Sequence, residues 1–394
     1  MSNIKEVAAL IVVLLTVPTH PTLSFAEGGK MAARQAQLLA TQPTYYAVSY
    51  GAKCDDNTND QPAFVAMLAA AKANCSVIGN IAEGQATVDL PPGKVCKLNS
   101  GITIDTGCVG LRGNGATLDF RGIPAGTAAV TTTDDDKVSP YNANVAIIDL
   151  KLLGPGQSTS SGTVGLLSES AGATYIDLTA ANFNYGVEIG NNSFVVSWIN
   201  PQLFYDGTGW YCPIGLTNAG ENMSIVDGSI YNSDVAIDTE SCELNSTNTS
   251  FDFDTESIAN VAISGTGALR LTNSHIEFSK LSGSLFNLGG PNSYSYIMAE
   301  GGQWQSDSGD SPADLATVNN VGYGGDGGWG PWVQINNVFM VGLFPGAQCG
   351  SGSGVTCSIG SNAKEVKYFM DRDQQGNILS SAPVQAGDAE TEGN

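Results

Sequence analysis

A repeated spacing of turn-forming and large apolar residues runs through the second half of the chain. An Asn, Asp or Gly is followed three residues later by a large apolar residue, and successive copies begin 21 to 35 residues apart. The copies are Asn200–Leu203, Asp227–Ile230, Asn248–Phe251, Asn273–Ile276, Gly301–Trp304 and Asn336–Phe339, with a weaker one at Thr179. Asn and Asp tolerate the left-handed backbone of tight bends. Short strands and tight turns at this period predict an all-β solenoid of stacked parallel strands.

The N-terminal part of the chain predicts a helix followed by paired strands. Residues 61–71 contain no Gly, Pro62 suits a first helical turn, and Asp60 or Gln61 can cap the helix. The apolar face of this helix would consist of Phe64, Val65, Met67 and Leu68. Further along, the turn Pro91-Pro-Gly93 separates two short strands.

Two motifs in this part resemble the start of the pectin-lyase-like superfamily of right-handed parallel β-helices. They are Tyr50-Gly-Ala-Lys-Cys-Asp-Asp before the helix and Leu90-Pro-Pro-Gly93 before a strand. Cys54 and Asp56 stand where glycine is usual, and Cys96 stands where an aromatic residue is common. The resemblance implies a right-handed parallel β-helix with an N-terminal capping helix. It implies action on polysaccharide without fixing a reaction, since the superfamily includes lyases, hydrolases, epimerases and phage tailspikes.

Composition divides the chain into four segments. Lys5, the apolar run after it and the small-x-small site ending at Ala26 predict a secretory signal cleaved near Ala26. The segments are a signal peptide at 1–26, a leader at 27–44, the β-helix domain at 45–375 and a disordered acidic tail at 376–394. No later apolar run is long enough to span a bilayer. We therefore expect a protein exported to the periplasm or the extracellular space.

The chain is strongly acidic, with a formal net charge of −22 at pH 7. Such acidity argues against nucleic acid or an anionic membrane as partner, and it disfavours a polyanionic substrate unless a cation screens it. Between residues 152 and 363, Arg270 and Lys280 are the only Lys or Arg residues. The expected partner is a polysaccharide. The oligomeric state stays open between a monomer and the homotrimer that some tailspike-like relatives form.

Eight cysteines are consistent with an oxidising compartment. Their order suggests four local disulfides, of which the last closes a flexible Gly-Ser loop. The predicted pairs are Cys54–Cys75, Cys96–Cys108, Cys212–Cys242 and Cys349–Cys357. Metal ligation by these cysteines is the alternative, but the chain has no CxxC spacing and only two histidines. A zinc site is therefore not expected.

The ladder also predicts which side chains lie on the outer surface, because strand residues on either side of an inward residue point outward. We expect Asp252, His275 and Glu277 to meet on strands about 4.8 Å apart, bordered by Tyr231 and Gln303. The next outward positions would add Asp206, Ser233, Asp254 and Ser279. Glycoside hydrolysis needs two carboxyl groups across the sugar bond. This patch is therefore the candidate active site.

Within the patch, crowding raises the pKa of one carboxyl group and thereby supplies an acid. We expect Glu277 to act as general acid and Asp252 or Asp254 as nucleophile or base. His275 would orient a carboxylate or contact the sugar. Two other interpretations stay open: the acidic side chains only solvate an exposed face, or they bind calcium. No other metal or cofactor is expected.

Aromatic residues in Gly-rich sequence are the second functional feature. Five aromatic residues lie in Gly-rich sequence predicted to form loops: Trp210, Tyr211, Tyr323, Trp329 and Trp332. The candidate sugar-binding residues among them are Trp210, Tyr211, Trp329 and Trp332. Exposed rings suit stacking on sugars, although such rings can also merely anchor loops. Trp198 and Trp304 are expected in the core.

Three functions follow in order of preference, and the first is glycoside hydrolysis. The second is a polysaccharide lyase, whose β-elimination needs a base and a Lys, Arg or cation to neutralise a uronate. Arg270 precedes the Asn273 bend, which would put it on a different face from Glu277. The third is a non-catalytic carbohydrate-binding or envelope-associated solenoid.

Overall fold

The computed structural model describes residues 42–73, 75–78, 81–83, 85–134, 146–158, 161–252, 259–261, 267–278, 284–288, 296–306, 314–318, 332–336, 338–341 and 365–369. Several residues named above lie outside these ranges: Asp254, Ser279, Lys280, Tyr323, Trp329, Cys349 and Cys357. The predicted signal peptide and acidic tail lie outside them as well. The expectations for these residues stay predictions.

The described residues form one α-helix, a short 3₁₀ turn at Ala47–Tyr50 and many short strands; the helix, α1, spans Gln61–Lys72. The first strands are β1 Thr44–Tyr46, β2 Asp55–Asn59, β3 Ser76–Ile78, β4 Ile81–Glu83, β5 Ala86–Asp89, β6 Val95–Lys97, β7 Ile102–Asp105, β8 Val109–Asp119, β9 Ala128–Thr133 and β10 Ala146–Leu153. The central strands are β11 Val164–Glu169, β12 Thr174–Ala181, β13 Tyr185–Ile189, β14 Ser197–Ile199, β15 Gln202–Phe204, β16 Thr208–Cys212, β17 Met223–Val226, β18 Ser229–Tyr231, β19 Val235–Thr239 and β20 Glu243–Thr247. The last are β21 Ser250–Asp252, β22 Ala259–Val261, β23 Ala268–Phe278, β24 Ser284–Leu288, β25 Tyr296–Ser306, β26 Asp314–Val318, β27 Trp332–Asn336, β28 Phe339–Val341 and β29 Glu365–Phe369.

The strands stack as coils of a parallel β-helix. In one coil, β17 and β18 belong to an 18-stranded sheet that bends between them at Asp227, and β19 belongs to a nine-stranded sheet. The next coil repeats this order with β20, β21 and β22, each parallel to its predecessor. Only the β3–β4 hairpin is antiparallel among the described pairs. The predicted fold class, a parallel β-helix, is confirmed.

The apolar residues of the ladder form an inward column. Leu203, Ile230, Phe251, Ile276 and Trp304 lie opposite one another on successive strands, and each is at most 1% exposed. Burying one such side chain is worth about 1.5–3 kcal/mol. Each coil buries its apolar residues against its neighbours, so the hydrophobic core continues along the solenoid.

The register differs from the predicted ladder at its two ends. Met340, and not Phe339, lies opposite Trp304. The weaker copy bends at Asp177, whose φ is 52°, and not at Thr179. Asp accepts the left-handed backbone of the bend, whereas a β-branched residue does not.

Asn and Asp side chains hold the bends of the 18-stranded sheet together. Asp177, Asn200, Asp227, Asn248 and Asn273 all have φ between 52° and 57°. The Nδ2 of Asn248 donates to Asp227 Oδ1 at 3.1 Å, and the Nδ2 of Asn273 donates to Asn248 Oδ1 at 2.8 Å. Asn200 binds Asp177 in the same way at 2.6 Å. These residues are structural turns.

Helix α1 forms where the sequence predicts it and packs against β1, β5 and β7. Its buried residues are Ala63, Phe64, Met67, Leu68 and Ala71. Val65, predicted on the apolar face, is 55% exposed because the helical turn carries it off that face. Asp60 precedes the helix but makes no side-chain cap; its carboxylate accepts the backbone N–H groups of Lys53 and Cys54. The helix's role as a cap on the solenoid stays a prediction. Neither α1 nor any other helix in the described ranges is long and apolar enough to cross a bilayer.

Three disulfides are present among the described residues and indicate an oxidising compartment. They are Cys54–Cys96, Cys75–Cys108 and Cys212–Cys242. The last pair is the predicted one, whereas the predicted pairs Cys54–Cys75 and Cys96–Cys108 are wrong. The parallel pairing of β2 with β6 brings Cys54 beside Cys96, so spatial neighbours here lie one coil apart in the sequence.

Candidate active sites on the surface of the β-helix

The stacking register brings the predicted catalytic residues together. β21 pairs with β23 so that Asp252 lies opposite Glu277, and Phe251 lies opposite Ile276. The two apolar side chains point into the core, which turns their neighbours outward. His275 takes the other outward position on β23. We call Asp252, His275 and Glu277 the carboxylate–histidine cluster.

Close polar contacts connect this cluster. His275 Nε2 lies 3.6 Å from Asp252 Oδ1 and 3.5 Å from Glu277 Oε2. Ser250 Oγ, two residues before Asp252 on the same strand, β21, donates to the Asp252 carboxylate at 2.8 Å. The side chains of His275, Asp252 and Glu277 are 39%, 23% and 21% exposed. They are therefore accessible to a polymer lying on the surface.

The surroundings of Asp252 favour its protonated form. Burial raises the pKa of its carboxyl group above the ordinary value, and the charge of Glu277 adds to this. The hydrogen bond from Ser250 and the nearby His275 act in the opposite direction without cancelling the effect. A carboxyl that keeps its proton more readily than usual suits a general acid.

The flanking residues Tyr231 and Gln303 lie where the sequence predicts them. Tyr231 is the neighbour of Asp252 in the preceding coil, and Gln303 is the neighbour of His275 in the following coil. Gln303 Nε2 donates to Gln305 Oε1 at 2.7 Å, and Gln305 lies opposite Glu277. An aromatic ring and two amides thus border the carboxylates along the helix axis.

Two of the next predicted outward positions, Asp206 and Ser233, point inward instead, and the other two, Asp254 and Ser279, lie outside the described residues. Asp206 is fully buried and Ser233 is 1% exposed. The chain turns through left-handed bends at Tyr205 and Asn232, with φ of 57° and 55°, which breaks the alternation of inward and outward residues. Burial raises the pKa of Asp206 well above its ordinary value. Asp206 is therefore part of the interior and not of the site.

The two aromatic candidates at 210 and 211 lie in a strand, β16, and not in a loop. Trp210 is fully buried and packs edge-on against Trp198, with ring centroids 6.0 Å apart, so it is not a sugar-binding residue. Tyr211 is half-buried on the outer face and stacks on Tyr185, with centroids 4.4 Å apart. Trp198 and Trp304 are buried as predicted. Trp332 begins strand β27, and its side chain lies outside the described part of the structure.

A second acidic grouping, which was not predicted from the sequence, lies on the nine-stranded sheet. Glu188, Tyr211 and Asp238 lie opposite one another on β13, β16 and β19; we call them the acidic row. Burial, with the charge of Glu169, raises the pKa of Glu188 to about 7. Burial, with the charge of Glu240, raises the pKa of Asp238 to about 8. Asp238 Oδ1 is buried and has no hydrogen-bond partner among the described residues.

The carboxylate–histidine cluster also meets a geometric condition for binding a cation, since its three ligand atoms lie within 4.8 Å of one another. Calcium takes six to eight oxygen ligands, whereas one of the three donors here is an imidazole nitrogen. That donor set suits zinc or another transition metal better than calcium. A second grouping, Cys54, Asp60 and Cys96, is accounted for by the disulfide and the backbone hydrogen bonds of Asp60.

Solved structures resemble the chain in fold. No protein-family model matches the chain, and no curated protein is significantly similar to it. ORF18 of Geobacillus virus E2 is 13% identical with a TM-score of 0.54, over 91% of this chain and 66% of that one. A mutant tailspike protein of E. coli bacteriophage HK620, in complex with hexasaccharide, is 10% identical with a TM-score of 0.52, over 86% and 62%. The likeness establishes the fold.

A third similar structure is the enzymatically active domain of bacteriophage CBA120 tailspike protein 4. It is 15% identical with a TM-score of 0.50, over 75% of this chain and 39% of that one. The chain thus spans less than two thirds of the length of each of the three proteins. At such identities, similarity of fold does not assign catalytic residues.

Proposed function

We propose that this protein cleaves polysaccharide as a glycoside hydrolase at the carboxylate–histidine cluster. One observation carries the proposal: Asp252 and Glu277 lie opposite each other on neighbouring strands, with His275 Nε2 within 3.6 Å of both carboxylates. The stacked coils offer a long surface that suits a polymeric ligand. The similar tailspike structure that contains a hexasaccharide supports a glycan as that ligand.

The spacing of the two strands that carry Asp252 and Glu277 supports a retaining mechanism. Neighbouring parallel strands lie about 4.8 Å apart, and retaining glycosidases hold their carboxyl groups about 5–5.5 Å apart. Inverting enzymes need a wider gap that admits a water molecule. We therefore expect the product to keep the anomeric configuration of the substrate, which NMR of the freshly released sugar measures.

The raised pKa of Asp252 favours this residue as the acid. Asp252 would protonate the glycosidic oxygen of the leaving sugar, and the Glu277 carboxylate would attack the anomeric carbon. Water would then release the sugar from Glu277, with Asp252 taking up the proton. These roles are the reverse of those expected from the sequence. His275 would act as a positioning residue, because its Nε2 faces both carboxylates.

A lyase reaction is less well supported by the described residues. Arg270 lies before the Asn273 bend and is engaged elsewhere: it donates to Asn245 Oδ1 at 3.3 Å and to Tyr296 Oη at 2.7 Å. Although Arg270 belongs to the same strand as Glu277, β23, the bend at Asn273 separates the two residues, and Arg270 does not face the cluster. A uronate at the cluster would need an added cation to balance its charge.

A panel of exported and cell-wall polysaccharides tests the proposal. The wild-type protein is assayed for new reducing ends and for ultraviolet absorbance, with and without EDTA. Hydrolysis produces reducing ends without an unsaturated-sugar chromophore and, in the proposed mechanism, is insensitive to EDTA. Appearance of the chromophore would establish a lyase instead. Retardation of the protein in polysaccharide gels without either product would establish a binding protein.

We further propose that the protein acts outside the cytoplasm, after export directed by the N-terminal segment. The three disulfides support this location, because such bonds persist in oxidising compartments. Mass determination of the mature protein from the medium or periplasm tests it. Cleavage near Ala26 is the expected result, and a full-length cytoplasmic product would contradict it.

A further inference from the structure

The corner beside β15 carries a residue that its backbone does not favour. Tyr205 has φ of 57°, in the left-handed region. The corresponding bends of the coils on either side use Asn182 and Asn232, with φ of 63° and 55°. Asn suits this conformation, whereas a bulky side chain there is a genuine outlier. Such strain is characteristic of functional sites, and the side chain that it positions is 46% exposed.

Three aromatic rings meet at this corner. Phe204 stacks on Tyr231, with ring centroids 4.9 Å apart and planes 9° apart. Tyr205 meets both rings edge-on, at 5.8 Å from Phe204 and 6.2 Å from Tyr231. Phe204 and Tyr231 are half-buried, so their outer edges and the Tyr205 ring stay accessible. We call these three residues the aromatic corner.

The aromatic corner continues directly into the carboxylate–histidine cluster. Phe204, Tyr231, Asp252, Glu277 and Gln305 occupy the same register position on five successive strands. Each step along this column is about 4.8 Å. A glycan lying along the helix axis with its reacting bond at Asp252 and Glu277 would therefore place an adjacent sugar on Tyr231.

The charge of the surface restricts the sugars that fit this column. Arg270 and Lys280 are the only Lys or Arg residues between positions 152 and 363, and Arg270 is held by Asn245 and Tyr296 on the other side of the bend. Carboxylates of the cluster would repel a uronate or phosphate bound next to them. Aromatic rings, in contrast, offer apolar faces that pack against the C–H faces of sugars.

We propose that the aromatic corner is a binding subsite for uncharged sugar residues of the glycan that the cluster cleaves. The inference rests on the proposed function, because the cluster defines where the chain is cut. The bound glycan runs parallel to the solenoid axis, with uncharged sugars on Phe204, Tyr205 and Tyr231. Tyr205 is the specificity-determining residue, since it is the ring that the strained bend turns outward.

A glycan array with the catalytically impaired Glu277→Gln protein tests this subsite independently of cleavage. The array presents uncharged oligosaccharides of bacterial, fungal and plant origin beside uronate-containing and phosphorylated ones. We expect binding to uncharged glycans, weakened about tenfold by Tyr205→Asn and retained by Tyr205→Phe. Asn is the residue of the flanking bends, so the substitution relieves backbone strain and preserves the fold. Thermal unfolding checks that it does.

The outcomes separate the subsite from the catalytic proposal. In an otherwise wild-type background, Tyr205→Asn should raise KM about tenfold with little change in kcat, as expected for a group that binds the ground state and the transition state equally. Binding only to acidic glycans, binding to none, or equal binding by Tyr205→Asn and wild type would overturn the subsite. Intact array binding by a protein that cleaves nothing would overturn the proposed function and leave the subsite standing.

Discussion

Two acidic groupings lie on adjoining faces of the same solenoid and differ in their surroundings. In the carboxylate–histidine cluster, Asp252 receives a hydrogen bond from Ser250 and lies 3.6 Å from His275. In the acidic row, burial raises the pKa values of Glu188 and Asp238 to about 7 and about 8. The buried Oδ1 of Asp238 has no hydrogen-bond partner among the residues described. Burial, assisted by the charges of Glu169 and Glu240, thus favours the neutral form of both acids.

The difference matters because a glycoside hydrolase needs one protonated and one charged carboxyl group at the same pH. The acidic row keeps both of its carboxyl groups largely protonated below about pH 7. In the cluster, Asp252 is partly buried, and two neighbouring polar groups, Ser250 and His275, favour its charged form. A strongly raised pKa therefore does not by itself identify the catalytic pair here. The carboxylate–histidine cluster, in which polar groups offset part of the rise in the pKa of Asp252, suits glycoside hydrolysis better than the acidic row does.

The largest predicted effect is loss of catalysis in the cluster. Asp252→Asn and Glu277→Gln each remove a proton-transferring or nucleophilic group and should lower kcat by about 1,000-fold. The measurement is the release of reducing ends from the polysaccharide that the panel identifies. Glu243→Gln is the matched control, since it neutralises an exposed carboxylate on β20 before the bend. It should keep wild-type activity.

The same prediction includes a pH dependence. Asp252 must be protonated to act as the acid, so kcat should fall on the alkaline side as this group loses its proton. The raised pKa of Asp252 moves that decline to higher pH than for an ordinary aspartate. Full activity of both Asp252→Asn and Glu277→Gln would rule out the cluster as the active site. The acidic row would then be the next candidate.

The second largest effect is on stability and belongs to the acidic row. Folded Asp238 keeps its proton up to about pH 8, whereas the unfolded chain loses it near pH 3.9. The native state therefore loses stability as the pH rises between these values. Asp238→Asn removes this penalty and should raise the free energy of unfolding by about 2 kcal/mol at pH 8, with little change at pH 4. Urea unfolding of both proteins at the two pH values measures it.

Catalytic assays of Asp238→Asn test whether the acidic row takes part in catalysis. The variant should keep kcat within about twofold of wild type, and Glu188→Gln should behave in the same way. A large loss of kcat in a stably folded variant would show that the acidic row carries the chemistry. A loss of stability at pH 8 would show that the Asp238 carboxylate is charged and paired in the native state.

Much of the cluster could be predicted from the sequence because two simple rules govern it. Strand alternation sets Asp252 one residue after inward Phe251, and the spacing of bends sets Asp252 opposite Glu277. Both rules depend only on residues between successive bends. The core column and the order of strands follow from the same rules, since each coil repeats the last.

The errors around the candidate sites arose beside left-handed bends, one of which carries an unexpected residue. Glu188, Tyr211 and Asp238 each lie six residues after a left-handed bend, at Asn182, Tyr205 and Asn232. Tyr205 is not a turn-forming residue, so the sequence pattern broke there and the acidic row was missed. The same bend turned Asp206 inward against expectation. The disulfide pairs at the N-terminus were missed because lateral neighbours lie one coil apart, which local spacing does not reveal.

The smallest predicted effect concerns His275. Its Nε2 faces both carboxylates, and its effect on Asp252 is to lower the pKa. His275→Gln should therefore lower kcat only about tenfold, as expected for loss of a positioning hydrogen bond. It should also move the alkaline decline of kcat to higher pH, because Asp252 then loses a group that favours its charged form. The pH profile of kcat measures both changes.

His275→Ala and EDTA test how far this role extends. If His275 is a positioning residue, His275→Ala should lower kcat somewhat more than His275→Gln does. Added zinc should not change the activity of either variant. A loss as large as that of Glu277→Gln, with wild-type activity abolished by EDTA and restored by zinc, would make His275 a metal ligand. In that case, the contrast between the groupings would lie in metal binding and not in hydrogen bonding. The test is justified because one ligand atom from each of the three residues of the cluster lies within 4.8 Å of the others, which is close enough to bind one ion.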